Sequence, residues 1–128
     1  MDRIERRGAL KTRPSPDSRL DCVSTLEGRT GISPVRLRYV PDKLVMEPES
    51  FALYLKSLDG LAWDSLEETA MAILDDINNE VVARWTQITL CASDGRASDG
   101  DAGSHSVMVE DRQPKWDNST LLSRLRRS

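Results

Sequence analysis

The chain has 128 residues, of which 38% are hydrophobic and 30% are charged, and its formal net charge is −3. A chain of this length forms one domain with polar ends, and its mild charge excludes broad binding to nucleic acids or membranes through charge alone. One histidine and two cysteines exclude a multi-histidine metal site and a disulfide framework, so no metal is expected.

The first predicted elements follow a polar N-terminal arm, residues 1–21, which contains five arginines and two prolines. We expect this arm to be disordered or loosely docked. Apolar and charged residues alternate over Val35–Val40, which is the period of a strand with one buried face. A turn at Pro41–Lys43 and an apolar run at Leu44–Met46 follow. Together these segments predict a β-hairpin.

Two segments in the middle of the chain have helical features. Glu49–Leu58 is compatible with a short helix or an irregular strand, and its periodicity does not separate the two. Asp64–Val82 is the clearest helix, because its apolar residues recur at spacings of three and four. Ser65 followed by Glu68 is typical of a capping box at its start. The apolar face consists of Leu66, Ala70, Ile73, Leu74, Ile77 and Val81.

The C-terminal part predicts two more strands. Arg84–Leu90 is rich in β-forming residues, and Ser106–Glu110 is a possible fourth strand after a flexible Ser/Asp/Gly loop at 92–105. A polar tail occupies 111–128. The predicted order is β-β-α-α-β-β within one domain, residues 22–110. This order indicates an α+β fold, a four-stranded antiparallel sheet with two helices on one face.

Two motifs in the centre of the chain carry a family resemblance. Tyr39–Leu44 contains Tyr-Val-Pro-Asp, and Glu47–Ser57 begins with Glu-Pro-Glu-Ser. These segments resemble the NADPH-dependent 7-cyano-7-deazaguanine reductases, the nitrile reductases of queuosine biosynthesis, over about residues 21–90. The resemblance implies a T-fold, or tunnelling fold, whose subunits assemble into a barrel and bind purine- or pterin-like rings at subunit interfaces. Further matches are Leu66-Glu67, Asp75–Ile77 and Arg84-Trp85.

The resemblance implies a guanine-like ligand and a set of residues that bind it. Glu67 falls on the family's anchor glutamate, and a carboxylate can accept two parallel hydrogen bonds from the N–H and NH₂ groups of such a ring. Further substrate contacts fall on Met46, Glu47 and Pro48, and Leu66 replaces the family's histidine. Without the resemblance, Glu67 is an ordinary acidic residue of a first helical turn.

The catalytic residues of the family are a cysteine and an aspartate, and the resemblance does not preserve this pair. Counting back from Tyr39 without gaps, the cysteine position is Ser24 and the aspartate position is Gly31. With two inserted residues, Cys22 becomes the candidate nucleophile, since a thiolate can attack a nitrile carbon. The alternative for Cys22 is a small apolar residue at the edge of the core.

The resemblance also implies NADPH as a possible cofactor. Its binding motif falls on the segment that starts at Glu47, including Glu49 and Ser50. Glu49 stands where the family has a lysine, which reverses a charge near the expected phosphate groups.

Three functions remain open. The first is a divergent enzyme of this family, which reduces 7-cyano-7-deazaguanine to the 7-aminomethyl compound or performs altered chemistry at the 7-substituent. The second is a catalytically inactive T-fold subunit or purine/pterin-binding module, and the third is a structural assembly protein. We expect a homo-oligomer with sites at its subunit interfaces, because closure of the sheet removes its open edges. Without a signal peptide or long apolar run, the expected compartment is the cytoplasm.

Overall fold

A computed structural model of the chain describes residues 3–61, 63–92 and 105–125. The predicted loop at 92–105 lies outside these ranges except for its two ends. The described residues form six strands and four helices. In chain order these are α1 (Arg3–Arg7), β1 (Thr12–Pro14), β2 (Ser24–Thr30), β3 (Ser33–Val40), β4 (Leu44–Met46), α2 (Pro48–Ser57), α3 (Leu66–Val81), β5 (Trp85–Cys91), β6 (Ser106–Arg112) and α4 (Ser119–Leu125).

The main sheet has four antiparallel strands in the order β2-β3-β5-β6. The buried side chains of α2 and α3 join one face of this sheet in a single hydrophobic core. The order of these elements is the predicted β-β-α-α-β-β, and the α+β fold with a T-fold arrangement is confirmed. The most deeply buried core side chains include Leu37, Tyr54, Leu55, Ile73, Ile77, Ile88 and Leu90.

The helix prediction for the middle of the chain is confirmed. The Ser65 hydroxyl accepts a hydrogen bond from the Glu68 backbone N–H at 3.0 Å, which caps α3 at the predicted position. The ambiguous segment before it forms α2, with Pro48 at its first position. No helix in the described ranges is both long and apolar enough to cross a membrane.

The predicted hairpin between Val35–Val40 and Leu44–Met46 is wrong. β3 pairs with β2, whereas β4 pairs with β1 in a separate two-stranded sheet. β2 gives little signal in the sequence, because it contains one large apolar residue, Leu26, and a central glycine, Gly28. A Cβ on Gly28 would lie 2.7 Å from Leu55 Cδ1, so the close packing of α2 on β2 favours a glycine there.

The described part of the N-terminal arm, residues 1–21, folds against the domain. Leu10 is 5% exposed and belongs to the core, and β1 pairs with β4. Arg6 of α1 donates from Nε to Asp76 of α3 over 2.7 Å. Apolar burial and ion pairs therefore hold the described part of this segment against the domain.

The described part of the C-terminal tail, 111–128, also carries structure. β6 continues to Arg112, and α4 follows. The indole N–H of Trp116 and the amide of Asn118 both donate to one oxygen of Asp21, at 3.1 and 3.0 Å. The described parts of both terminal segments therefore make contacts within the folded chain, while the exact domain boundaries stay a prediction.

Candidate functional site

The first turn of α3 lies beside a small cleft at one end of the main sheet. Its volume is about 160 Å³, and its lining includes Gly31, Asp59, Trp63 and Leu66. Glu67 follows Leu66 in the same turn, and its side chain is 51% exposed. We call this region the Gly31 end of the sheet, because the β2–β3 turn contains Gly31.

Hydrogen bonds of Asp59 form one wall of the cleft, and one buried donor near this wall lacks an acceptor within the described ranges. The Asp59 carboxylate accepts hydrogen bonds from the Gly31 backbone N–H and from the Thr30 hydroxyl. These bonds hold the β2–β3 turn against the end of α2. The buried indole N–H of Trp63 has no hydrogen-bond partner among the described residues. An acceptor atom that enters the cleft would satisfy this donor, since buried polar groups are normally paired.

The only histidine of the chain, His105, contacts Glu67. Its Nε2 lies 3.5 Å from Glu67 Oε2, and both side chains are 51% exposed. The His105 backbone carbonyl accepts a hydrogen bond from Ala92 N–H at 2.9 Å, which extends the β5–β6 ladder by one step. Sequence reasoning missed this residue. The alternation of side chains along a strand could have indicated it. Val107 and Val109 pack on the core, and His105, two residues before Val107, belongs to the same face.

A second group of predicted site residues lies at the start of α2. Met46 is 4% exposed and contributes to the core, and its backbone N–H donates to the Tyr39 hydroxyl at 2.9 Å. Glu47 precedes the helix and accepts a hydrogen bond from Arg13 Nη2 at 2.9 Å. Pro48 is exposed. Of these three candidates, Glu47 and Pro48 are open to a ligand, whereas the Met46 side chain is not.

The predicted cofactor residues do not suit the phosphate groups of NADPH. Glu49 is an exposed carboxylate, which repels phosphate. Ser50 is buried, and its hydroxyl accepts from Lys11 N–H at 3.0 Å and donates to the Glu47 carbonyl at 2.7 Å. Both of its hydrogen-bonding functions are therefore occupied within the chain. For metals, the described ranges contain no group of three or more His, Cys, Asp or Glu side chains that could hold an ion.

The candidate nucleophiles lie far from the cleft. Ser24 pairs with Tyr39, whereas Thr30 pairs with Ser33 beside the hairpin turn. Thr30 lies six residue steps along β2 from Ser24, which corresponds to roughly 20 Å. Cys22 is exposed and lies two residues before β2, on the same side as Ser24. We call this region the Ser24 end of the sheet.

The predicted site residues therefore form two groups within one chain. The tie between Met46 and Tyr39 places the start of α2 at the Ser24 end, because Tyr39 is the register partner of Ser24. Glu67 and Leu66 lie at the opposite end. An unshifted transfer of the family's pair to Ser24 and Gly31 puts the two positions about a strand length apart, so a single chain cannot bring both to one nitrile carbon.

Comparison with known proteins gives one distant likeness. No protein-family profile matches the chain. The chain is 28% identical over 99 residues to a protein of Syntrophus aciditrophicus (strain SB) named NADPH-dependent 7-cyano-7-deazaguanine reductase. The match covers 74% of this chain and 64% of that protein, so the chain spans less than two thirds of its length. The similarity supports a distant relationship to such reductases and agrees with the α+β fold.

Proposed function

We propose that this protein binds a 7-deazaguanine or a similar guanine-like base through Glu67, without the cysteine–aspartate chemistry of nitrile reduction. The observation that carries the proposal is the half-exposed Glu67 carboxylate in the first turn of α3, one residue after Leu66 of the cleft lining. A carboxylate in this position can accept hydrogen bonds from the N–H and NH₂ groups along one edge of the base. The distant likeness to a 7-cyano-7-deazaguanine reductase supports the choice of ligand.

A complete site in this proposal contains residues from two copies of the chain. Glu67 lies at the Gly31 end, whereas Glu47 and Pro48 lie at the Ser24 end. β2 and β6 are the outer strands of the main sheet, so each leaves one side for pairing. Pairing of these edges between copies would satisfy their backbone groups and place residues of two chains side by side. The proposed partner is therefore a second copy, in a homo-oligomer.

A loss of cysteine–aspartate chemistry follows from two features of the chain. Gly31 stands at the counted aspartate position and has no acidic side chain. Cys22 and Ser24 lie at the Ser24 end, about a strand length from the cleft. A thiol needs an adjacent base or cation to act as a strong nucleophile, and a hydroxyl needs one even more. In this proposal the protein binds the base and does not carry out the cysteine–aspartate chemistry.

The second candidate is the reductase activity in the name of the distant relative. In that case Cys22 adds to the nitrile carbon and forms a thioimide. Cys22 is a better candidate nucleophile than Ser24, because its exposed thiol is accessible to a ligand bound at an interface with a neighbouring chain.

Calorimetric titration tests the binding proposal. The ligands are 7-deazaguanine and 7-cyano-7-deazaguanine, each with and without NADPH, and the variants are Glu67→Gln and Glu68→Gln. Glu68 is the matched control, since it is an exposed glutamate of the same helical turn. We expect binding to the unchanged protein and to Glu68→Gln, and a loss of about 100-fold in Glu67→Gln, because charged hydrogen bonds to the base disappear.

The same titration separates the two candidates. If the unchanged protein binds none of the bases, the binding proposal is wrong. A covalent adduct with 7-cyano-7-deazaguanine, detected by mass spectrometry and absent in Cys22→Ala, would instead support the reductase. An adduct that persists in Cys22→Ala and disappears in Ser24→Ala would assign the nucleophile to the serine.

A further inference from the structure

The strand register determines where the His105 side chain points. Side chains alternate between the two faces of a strand, and Val107 and Val109 of β6 pack against the core on the helix-bearing face. His105 precedes them at the same spacing, and its backbone is held by Ala92. Its side chain therefore belongs to the face that α3 covers, which explains how a residue outside β6 reaches Glu67.

The His105 and Glu67 side chains are exposed to solvent and interact only weakly with each other. The separation of 3.5 Å between His105 Nε2 and Glu67 Oε2 is longer than a good charge-assisted hydrogen bond. Each side chain exposes about half of its surface. A pair with this geometry contributes little to folding, because water competes for and screens exposed polar pairs. Both polar groups therefore remain available to a ligand.

The order of hydrogen-bonding groups along this pair matches one edge of a guanine-like ring. The ring edge presents a carbonyl oxygen, then a ring N–H, then an exocyclic NH₂. The protein presents an imidazole N–H donor and, 3.5 Å from that nitrogen, one of the two oxygens of a carboxylate. The imidazole N–H can therefore donate to the ring carbonyl, while the carboxylate oxygens accept from the ring N–H and the NH₂ group. Glu67 alone leaves the ring carbonyl without a donor.

We infer that His105 is a second ligand-binding residue of this site, which donates from Nε2 to the ring carbonyl oxygen while Glu67 accepts from the N–H edge. The inference rests on the proposed function. It adds His105 as the residue that selects a base with a carbonyl oxygen beside the ring N–H. Bases with an amino group there present a donor to His105 in place of an acceptor. The site therefore discriminates guanine-like from adenine-like rings through two residues from separate elements.

The test compares three bases that differ by single groups. These are 7-deazaguanine, its 6-thio analogue, in which sulfur replaces the carbonyl oxygen, and 7-deazahypoxanthine, which lacks the NH₂ group. They are titrated by calorimetry into the unchanged protein, His105→Leu and His105→Gln. Glutamine keeps an N–H donor, whereas leucine keeps only volume. Thermal melts of each variant check that it is folded.

We expect the unchanged protein to prefer 7-deazaguanine over the 6-thio analogue by about tenfold, the value of one hydrogen bond. His105→Leu should lose this preference and keep the preference for 7-deazaguanine over 7-deazahypoxanthine, which depends on Glu67. His105→Gln should restore part of the carbonyl preference. A merely structural histidine would lower all three affinities together.

Two outcomes overturn the inference, and they are distinguishable. If the unchanged protein binds 7-deazaguanine and the carbonyl preference is the same in His105→Leu, then His105 does not contact the ring, and the proposed function stands. If the unchanged protein binds none of the three bases, the proposed function fails and the inference fails with it.

Discussion

Two carboxylates on the same helix have opposite environments. Asp76 is fully buried and accepts hydrogen bonds from Arg6 Nε and Arg7 Nε at 2.7 Å each, and from the Tyr54 hydroxyl. Glu67, nine residues earlier, is 51% exposed and has one imidazole at 3.5 Å. A buried charge must be paired to be tolerated, whereas an exposed charge keeps its capacity for a ligand. The comparison teaches that burial separates a carboxylate of α3 that the fold must pair from one that stays open to solvent.

The buried carboxylate connects three helices. Arg6 and Arg7 belong to α1, Tyr54 belongs to α2, and Asp76 belongs to α3. The hydrogen bond from Arg6 to Asp76 raises the pKa of the guanidinium above its ordinary value. Arg6 also lies over the Trp63 ring, 5.8 Å from its centroid. This cluster is the main polar contact that docks the N-terminal helix, and its loss should affect the whole fold.

Asp76→Ala should give the largest effect on folding. It leaves two buried or half-buried cations without their shared partner, so the free energy of unfolding should fall by about 3–5 kcal/mol. The matched control is Asp75→Ala, since the Asp75 side chain is 66% exposed and pairs with Arg7 at 3.1 Å. We expect the control to lose less than about 1 kcal/mol. Urea denaturation measures both, and equal losses would contradict the distinction between buried and exposed carboxylates.

Tyr54→Phe should change how stability depends on alkaline pH. Burial, together with the hydrogen bond to Asp76, raises the pKa of the Tyr54 hydroxyl well above its usual range. The unfolded chain loses this proton near pH ~10 while the folded chain keeps it, so stability is full below pH ~10 and falls as pH rises. The fall approaches about 1.4 kcal/mol per pH unit for one group.

The measurement for Tyr54 is a series of urea denaturation curves between mildly and strongly alkaline pH. The unchanged protein should lose stability faster than Tyr54→Phe, in which this titration is absent. Other groups titrate in both proteins, so the difference between the two slopes isolates Tyr54. Parallel slopes would show that the hydroxyl is not protected by its burial beside Asp76.

Glu67→Gln should give the smallest effect on folding and complete the comparison. Its side chain is half exposed and its contact with His105 is long, so the free energy of unfolding should change by less than about 0.5 kcal/mol. Thermal and urea denaturation give this value on the same protein used for base binding. A large loss of stability would mean that Glu67 serves the fold, as Asp76 does.

The elements with strong hydrophobic periodicity could be predicted from the sequence. α3, β3, β5 and most of β6 lie where the patterns place them, because each buries a regular set of side chains. β2 could not be predicted, since the glycine at its centre is explained by a contact with Leu55 of α2. The pairing of β4 with β1 was also hidden, because strand partners far apart in sequence leave no local signal.

The candidate site shows the same limit. The motif resemblance selected Glu67, whose side chain is half exposed in the first turn of α3. It did not select His105, which lies 38 positions further along and outside every quoted motif. It also grouped Ser24 with Gly31, although the hairpin register puts them at opposite ends of β2. Linear spacing does not report distance across a hairpin.

The sequence alone determined that an amphipathic helix, α3, lies between strands and that the first turn of this helix carries an acidic residue. Local periodicity and capping residues decide such features because they depend on neighbours three or four positions away. Only the tertiary structure decided which carboxylate is buried, which strand partners β3, and that the single imidazole reaches Glu67. These properties depend on contacts between residues distant in sequence, which form only when the core is packed and the strand register is set.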